Sequence, residues 1–228
     1  MRVPGVYGRL CGKKLNPRLQ TIYDTELPLV DCSEAFLGQE STLIDPSTPW
    51  WMEIGFGDGI HLRTQLQRNP HVHFLGVEVF RPGIAQCLKD LSQNARNQLH
   101  IFPHNVHLLM PRLPKTVIEK IFILFPDPWP KYRHHKRRLL QPEFLSQCWK
   151  VLKDEGKLII ASDVIPLIHW MQNNLLEHQG FQYVEGAYSS DPLEWPAWPC
   201  DLTLSTYGRK AVHKTYFIWK KCLKQMHV

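Results

Sequence analysis

The chain lacks any apolar run close to the ~20 residues that span a bilayer, so no helical membrane anchor is expected. Its first twenty residues, MRVPGVYGRLCGKKLNPRLQ, have no apolar core, which argues against a secretory signal. There is no Cys-x-x-Cys pair. The six cysteines, at 11, 32, 87, 148, 200 and 222, are scattered, which fits the reduced thiols of a cytoplasmic protein better than a disulfide frame or a zinc site. Repeats and low-complexity tracts are also missing. At 228 residues and 43% hydrophobic composition, the chain suits one well-cored domain with short decorations.

Acid is missing too, from three stretches. Residues 1–20, 131–138 and 209–224 hold five, five and six Lys/Arg, and no Asp or Glu. The rest of the chain is net acidic, although the whole carries +6. A uniformly solvated surface has no reason to segregate charge so sharply. A face that binds a polyanion does, because neutralising phosphates releases condensed counterions. The expected partner is a nucleic acid.

From residue 50 short apolar runs alternate with helical patterns. Strands are expected at WWMEI (50–54), HFLGVEV (73–79), LHIF (99–102), VIEKIFILF (117–125), GKLIIAS (156–162) and HKTYFIWKK (213–221). Helices are expected through IHLRTQLQRN, PGIAQCLKDLSQ (82–93), PEFLSQCWKVL (142–152) and PLIHWMQNNLLEHQG (166–180), three of them opened by proline. This alternation predicts an α/β fold, a doubly wound, mostly parallel sheet with helices on both faces. Residues 1–49 read as a loop-like basic arm and linker, and 189–201 as a surface excursion. The tryptophans at 50, 51, 149, 170 and 219 belong to the core, whereas Trp195 and Trp198 are candidates for substrate contact.

The turn EIGFGDG ends the first strand, where doubly wound folds bind ligands. Gly55, Gly57 and Gly59 permit positive φ and close approach. Glu53 and Asp58 would repel the pyrophosphate of a dinucleotide but suit a cationic ligand without phosphate, such as S-adenosylmethionine. Glu78, after the second strand, is placed to accept hydrogen bonds from both ribose hydroxyls.

The stretch FPDPWPKYRHHKRRL sets Asp127 between two prolines at the end of an apolar strand, then follows with Trp129 and five cations. Prolines stiffen this path. Trp129 offers a face for a base, and Lys131, Arg133, Lys136, Arg137 and Arg138 offer phosphate contacts. An acid beside a basic patch suits a base that is part of a polyanion.

EIGFGDG, FLGVEVFRPGI, FPDPWPKYRHHKRRL, PEFL and the SD of IIASDV together resemble the bacterial tRNA (guanine-N7)-methyltransferases, and YGRLCGKKLNPR resembles their basic N-terminal arm. The resemblance implies a Rossmann-like class I methyltransferase domain over 50–228, with S-adenosylmethionine as donor. The substrate it implies is the variable-loop guanine of tRNA. By motif, Glu53, Gly55, Gly57 and Glu78 hold the donor, and Asp127 borders donor and substrate as the catalytic acid. Lys131 and Asp163 contact tRNA. Two positions depart from the family pattern: Asn105 replaces an aspartate near the adenine, and TLST keeps Thr203 but puts Thr206 where a glutamate is usual.

Asp127 either grips the guanine edge or stabilises developing charge. Two other functions fit part of the pattern. Pro-Asp-Pro-Trp is related to the Asp-Pro-Pro-Tyr signature of exocyclic-amine methyltransferases, with the acid shifted. A non-catalytic RNA-binding protein on a decayed methyltransferase fold would tolerate Asn105 and Thr206, but has no need of Glu53, Glu78 and Asp127. His100, His104 and His107 are interrupted by Pro103 and lack further ligands, so no metal is expected. Either a monomer or a homodimer fits.

Overall fold

Trp50–Ile54 is buried at every position and forms β1, because neighbours on both sides and helices on both faces leave it no solvated edge. In the computed structural model, which describes residues 14–38, 43–186, 199, 202–203, 209–210 and 214–222, six further strands join it. They are β2 (His73–Val77), β3 (Leu99–Phe102), β4 (Ile118–Leu124), β5 (Leu152–Ser162), β6 (Phe181–Gly186) and β7 (Thr215–Lys221). The sheet order is β3-β2-β1-β4-β5-β7-β6. The first five positions pair in parallel, and β7 runs antiparallel to both neighbours. The expected α/β architecture is therefore present.

Helices cover both faces. α6 (Val106–Leu109), α7 (Pro142–Val151) and α8 (Ile165–Glu177) pack with Met52, Ile54, Leu75, Ile121, Ile160 and Phe217 in one cluster. On the other face α3 (Ile60–Arg68) and α4 (Arg81–Lys89) bury Leu62, Leu66, Ile84 and Leu88 against Trp51, Phe74, Phe122 and Ile159. Trp50, Trp51 and Trp219 are buried, and Trp149 and Trp170 pack against the core.

Three expectations need correction. Residues 1–49 are not simply loop-like: α1 (Pro17–Glu26) is capped by Asn16 and packs on α4, and α2 (Ser33–Leu37) inserts Phe36 into the core. The Arg96–Glu26 ion pair and a parallel bridge between Asp31 and Ile101 fasten this region to the free edge of β3. Covering an edge strand protects its open backbone groups from foreign pairing. The helix expected over 82–93 stops at Lys89, and a separate α5 (Gln93–Arg96) begins where the Ser92 hydroxyl accepts from Ala95 N–H, because serine favours the cap over the interior. Strand β6 has no counterpart among the expected strands, since its apolar alternation is only Phe181 and Tyr183 long and the rest is largely exposed.

Candidate active site

Strands β1, β2, β3, β4 and β5 run parallel, and their register aligns Ile54 with Val77, Val77 with Phe102, Glu53 with Phe122, and Leu124 with Ala161. Residues that follow them therefore emerge along one edge of the sheet. These are the glycine turn, Glu78, Asn105, Asp127 and Asp163, the crevice where open α/β sheets bind ligands.

Gly55, Gly57 and Gly59 adopt φ of 75°, 56° and 72°, a region that side chains rarely tolerate. A Cβ on Gly55 or Gly57 would meet nothing within 4 Å, so this backbone faces open space that a ligand can enter. Gly83 serves the same turn from behind: a Cβ there would lie 2.5 Å from the Gly57 carbonyl oxygen. Gly83→Ala should therefore displace the turn and weaken S-adenosylmethionine binding at least tenfold in calorimetric titration while leaving the fold intact. Unchanged affinity would show that the turn's position is not critical.

Glu78 is the hub of this crevice. Its Oε2 accepts from Gly57 N–H at 2.9 Å, and its Oε1 from Val79 and Phe80 N–H at 2.7 and 2.8 Å. A carboxylate offers about four acceptor positions, so three are spent on shaping the turn and one, on Oε2, stays available. That remaining position is open to a hydroxyl of the donor. Burial pushes the Glu78 carboxyl above its ordinary value, the three backbone hydrogen bonds oppose that rise, and the charge of Asp127 adds to it. Asp127, after β4, emerges at the same edge of the sheet as Glu78, after β2.

Asp127 follows β4 at the exposed rim of the crevice, where the protein around it still holds its carboxyl above the usual aspartate range by desolvation. The path around it is bent as well as stiff. Phe125 and Trp129 adopt φ of 55° and 42°, a left-handed conformation that costs such residues about 1–3 kcal/mol and that persists only where surroundings enforce it. The Arg137 guanidinium lies 5.0 Å over the Trp129 ring and His134 meets its edge at 5.7 Å, so one face of Trp129 is already taken.

Arg138 corrects the expectation of a cation facing solvent. It is 5% exposed, donates from Nε to the Pro128 carbonyl at 3.0 Å and from Nη2 to His135 Nε2 at 2.9 Å, and lies over Trp170. Its charge is spent on holding the loop. Lys131, Arg133 and Lys136 remain exposed around a 3-10 helix, Tyr132–Arg137. Slight burial, then the positive charges of Arg137, Arg133, Lys131 and Lys136, hold His134 below its usual value.

The sequence matches the family described as "Putative methyltransferase" over residues 47–220. It is similar to the tRNA (guanine-N(7)-)-methyltransferase of Rhodospirillum rubrum, with 34% identity over 90% of this chain and 82% of that one. It is also similar to the enzyme of that name from Paramagnetospirillum magneticum, with 36% identity over 85% and 84%. The chain belongs to the tRNA (guanine-N7)-methyltransferase family. Among solved structures, a 16S rRNA (adenine(1408)-N(1))-methyltransferase variant from Catenulisporales acidiphilia with cosubstrate S-adenosylmethionine shares the fold at TM-score 0.54 and 15% identity, covering 84% of this chain and 97% of that one. A SAM-dependent O-methyltransferase from Thermotoga maritima aligns at TM-score 0.51 and 13% identity, over 94% and 68%. S-adenosylmethionine is the methyl donor, and the open glycine turn and the available Glu78 acceptor fit it.

Glu53 matches the motif, but its surroundings were not expected. Instead of facing the crevice openly it is 3% exposed, and its Oε2 accepts from His61 Nδ1–H at 2.8 Å. Gln65 Nε2 lies 3.2 Å from His61 Nε2, and Asn69 Nδ2 donates to Gln65 Oε1 at 3.2 Å. Every donor in this buried row points toward Glu53, which fixes the imidazole tautomer and leaves the second carboxylate oxygen to face elsewhere. Nothing in composition or spacing announces it. The one available signal is a histidine on the first turn after the glycines.

Asn105 caps α6, its Oδ1 accepting from His107 N–H at 3.0 Å. The family's aspartate would make the same cap with a full charge. Asp163 is exposed after β5. Thr203 follows Leu202, which is buried against mid-sheet residues of the second cluster with Phe122 and Ile159, so the described contacts do not bring Thr203 to Asp127. Thr206, Trp195 and Trp198 lie outside the described residues. Among the described residues, no three His, Cys, Asp or Glu gather as a metal site, and no helix is long and apolar enough to cross a membrane.

Proposed function

We propose that this chain methylates nitrogen-7 of the variable-loop guanine of tRNA. The observation that supports this reading best is that parallel register sets the glycine turn, Glu78 and Asp127 along one edge of the sheet, with the exposed Lys131, Arg133 and Lys136 close after Asp127 in the chain. S-adenosylmethionine supplies a methyl group already activated by the positive sulfur. Guanine nitrogen-7 has an in-plane lone pair and no proton, so none of the chain's groups need act as a base. Their task is positioning, which in favourable systems lowers a barrier by up to ~7–11 kcal/mol.

In this reading Glu78 holds a donor ribose hydroxyl, and Gly55 and Gly57 admit the donor's body. Glu53, aligned by His61, and Asn105 complete the donor site. Asp127 accepts from the N–H groups of the guanine Watson–Crick edge, where two donors match two carboxylate oxygens. Asp163, Thr203 and Thr206 contact substrate. Lys131, Arg133, Lys136 and Arg137 meet phosphates, while Arg138 braces the loop that carries them. Residues 50–228 form the methyltransferase domain, and the basic part of 1–49 adds to the tRNA surface. The protein acts in the cytoplasm, as a monomer or homodimer.

Incubating the protein with labelled donor and undermodified tRNA tests the reading directly. The expected product is 7-methylguanosine in the variable loop. A methyl group on an exocyclic amine would support the rival chemistry, and donor binding without transfer would leave only an RNA-binding role. The charge assignment has its own test. Replacing Arg133 and Lys136 together by glutamine should lower the slope of log affinity for tRNA against log salt by about one for each phosphate that is no longer neutralised. Arg138→Gln should instead lower the unfolding midpoint. Equal salt slopes in wild type and the double variant would take this patch off the RNA.

A further inference from the structure

The basic loop carries one side chain with no role in any of this. Tyr132 is 88% exposed, the one aromatic ring among the exposed large apolar side chains of the described residues. An isolated exposed tyrosine needs no explanation. This one differs in what surrounds and supports it. Lys131 and Arg133 flank it in sequence, and Lys136 lies four residues on, all three exposed. The residue expected to offer a flat face, Trp129, already has one covered by Arg137.

Tyr132 is also anchored. Its ring meets His135 edge-on at 5.3 Å. His135 receives a hydrogen bond from Arg138, whose Nε donates to the carbonyl of Pro128, next in the chain to Asp127. Gln141 donates to the His135 and Arg138 carbonyls at 2.8 and 3.1 Å, fixing the helix from the other side. The ring therefore projects outward from a helix braced to the Asp127 loop, with exposed cations before and after it in the chain.

We propose that Tyr132 is a stacking platform for a base next to the target guanine, and so holds the neighbouring nucleotide while the guanine enters the crevice. This rests on the proposed action on tRNA. An aromatic face between cations is the arrangement that binds single-stranded nucleic acid, because every base has a π-face and every linkage a charge. Stacking does not read sequence, so Tyr132 contributes affinity and presentation while Asp127 reads guanine.

The test compares Tyr132→Phe, Tyr132→Ala and Tyr132→Leu for equilibrium binding of an unmodified tRNA transcript over a range of salt, with S-adenosylmethionine titrated in parallel. Phenylalanine should bind tRNA about as wild type. Alanine and leucine should each weaken binding about tenfold or more, as losing one stacked base does. Their salt slopes should not change, since every cation stays in place, and donor affinity should not change either. The KM for tRNA should rise with little effect on kcat. Wild-type affinity in the alanine variant would overturn the inference, as would leucine matching phenylalanine, or a flattened salt slope. If the wild type forms 7-methylguanosine while alanine binds normally, the platform fails alone. If the wild type ignores tRNA, the reading beneath it fails first.

Discussion

Asp127→Asn should lower turnover by about a hundred- to a thousandfold while S-adenosylmethionine binds as before, as expected when a hydrogen bond to the reacting base is removed. The substitution keeps size and shape. It replaces one of two acceptors by an N–H₂ group, which would face a guanine N–H, donor against donor. It also removes the negative charge that raises Glu78, so the donor site is not weakened by the change. Single-turnover kinetics with calorimetry separates the two effects. Normal turnover would take Asp127 out of the chemistry.

The pH profile supplies a second signature. The Asp127 carboxyl sits above its ordinary value in the fold. Turnover that needs the carboxylate is therefore lost as pH falls through this raised value, earlier than an ordinary aspartate would give. Stability moves the other way. The folded state holds the proton more tightly than the unfolded chain, so the contribution of this group grows on acidification and is lost as pH rises through the same window. Activity and stability that fall together there would contradict the assignment.

Glu78→Ala should cost about a hundredfold or more in donor affinity, together with a measurable loss of stability. Three N–H groups, of Gly57, Val79 and Phe80, lose their acceptor. A buried unsatisfied donor costs about 1–3 kcal/mol, so the turn itself relaxes. Glu78→Gln separates the contributions. Its amide oxygen can still accept from Val79 and Phe80, but its N–H₂ then opposes Gly57 N–H and presents a donor where a ribose hydroxyl needs an acceptor. Stability should fall between wild type and alanine, and donor affinity should match alanine. Glutamine binding the donor as well as glutamate would remove Glu78 from the ribose.

Periodicity makes much of this fold legible. β1, β3 and α7 fall within a residue of their sequence signals, since apolar runs flanked by proline and glycine leave few alternatives. α1 escapes because none of its residues is fully buried, and its pattern is polar until it meets α4. β6 escapes for a related reason: only Phe181 and Tyr183 turn to the core, too short an alternation to stand out beside its exposed residues. At the site, the shared edge of Gly55, Glu78 and Asp127 follows from parallel strands alone. What the sequence does not disclose is the company each charge keeps. Arg133 and Arg138 are alike as letters, and only the fold sends one outward and the other beneath Pro128.

β7, the last strand in chain order, lies between β5 and β6 rather than at the rim. During synthesis, β6 leaves the ribosome with no partner to zip onto, and its slot in the sheet opens only once Thr215–Lys221 has emerged. Closure of the sheet thus waits for β7, the last of these seven strands to be made. A premature stop shortly before that strand would strand two segments, not one, in the reach of chaperones and proteases.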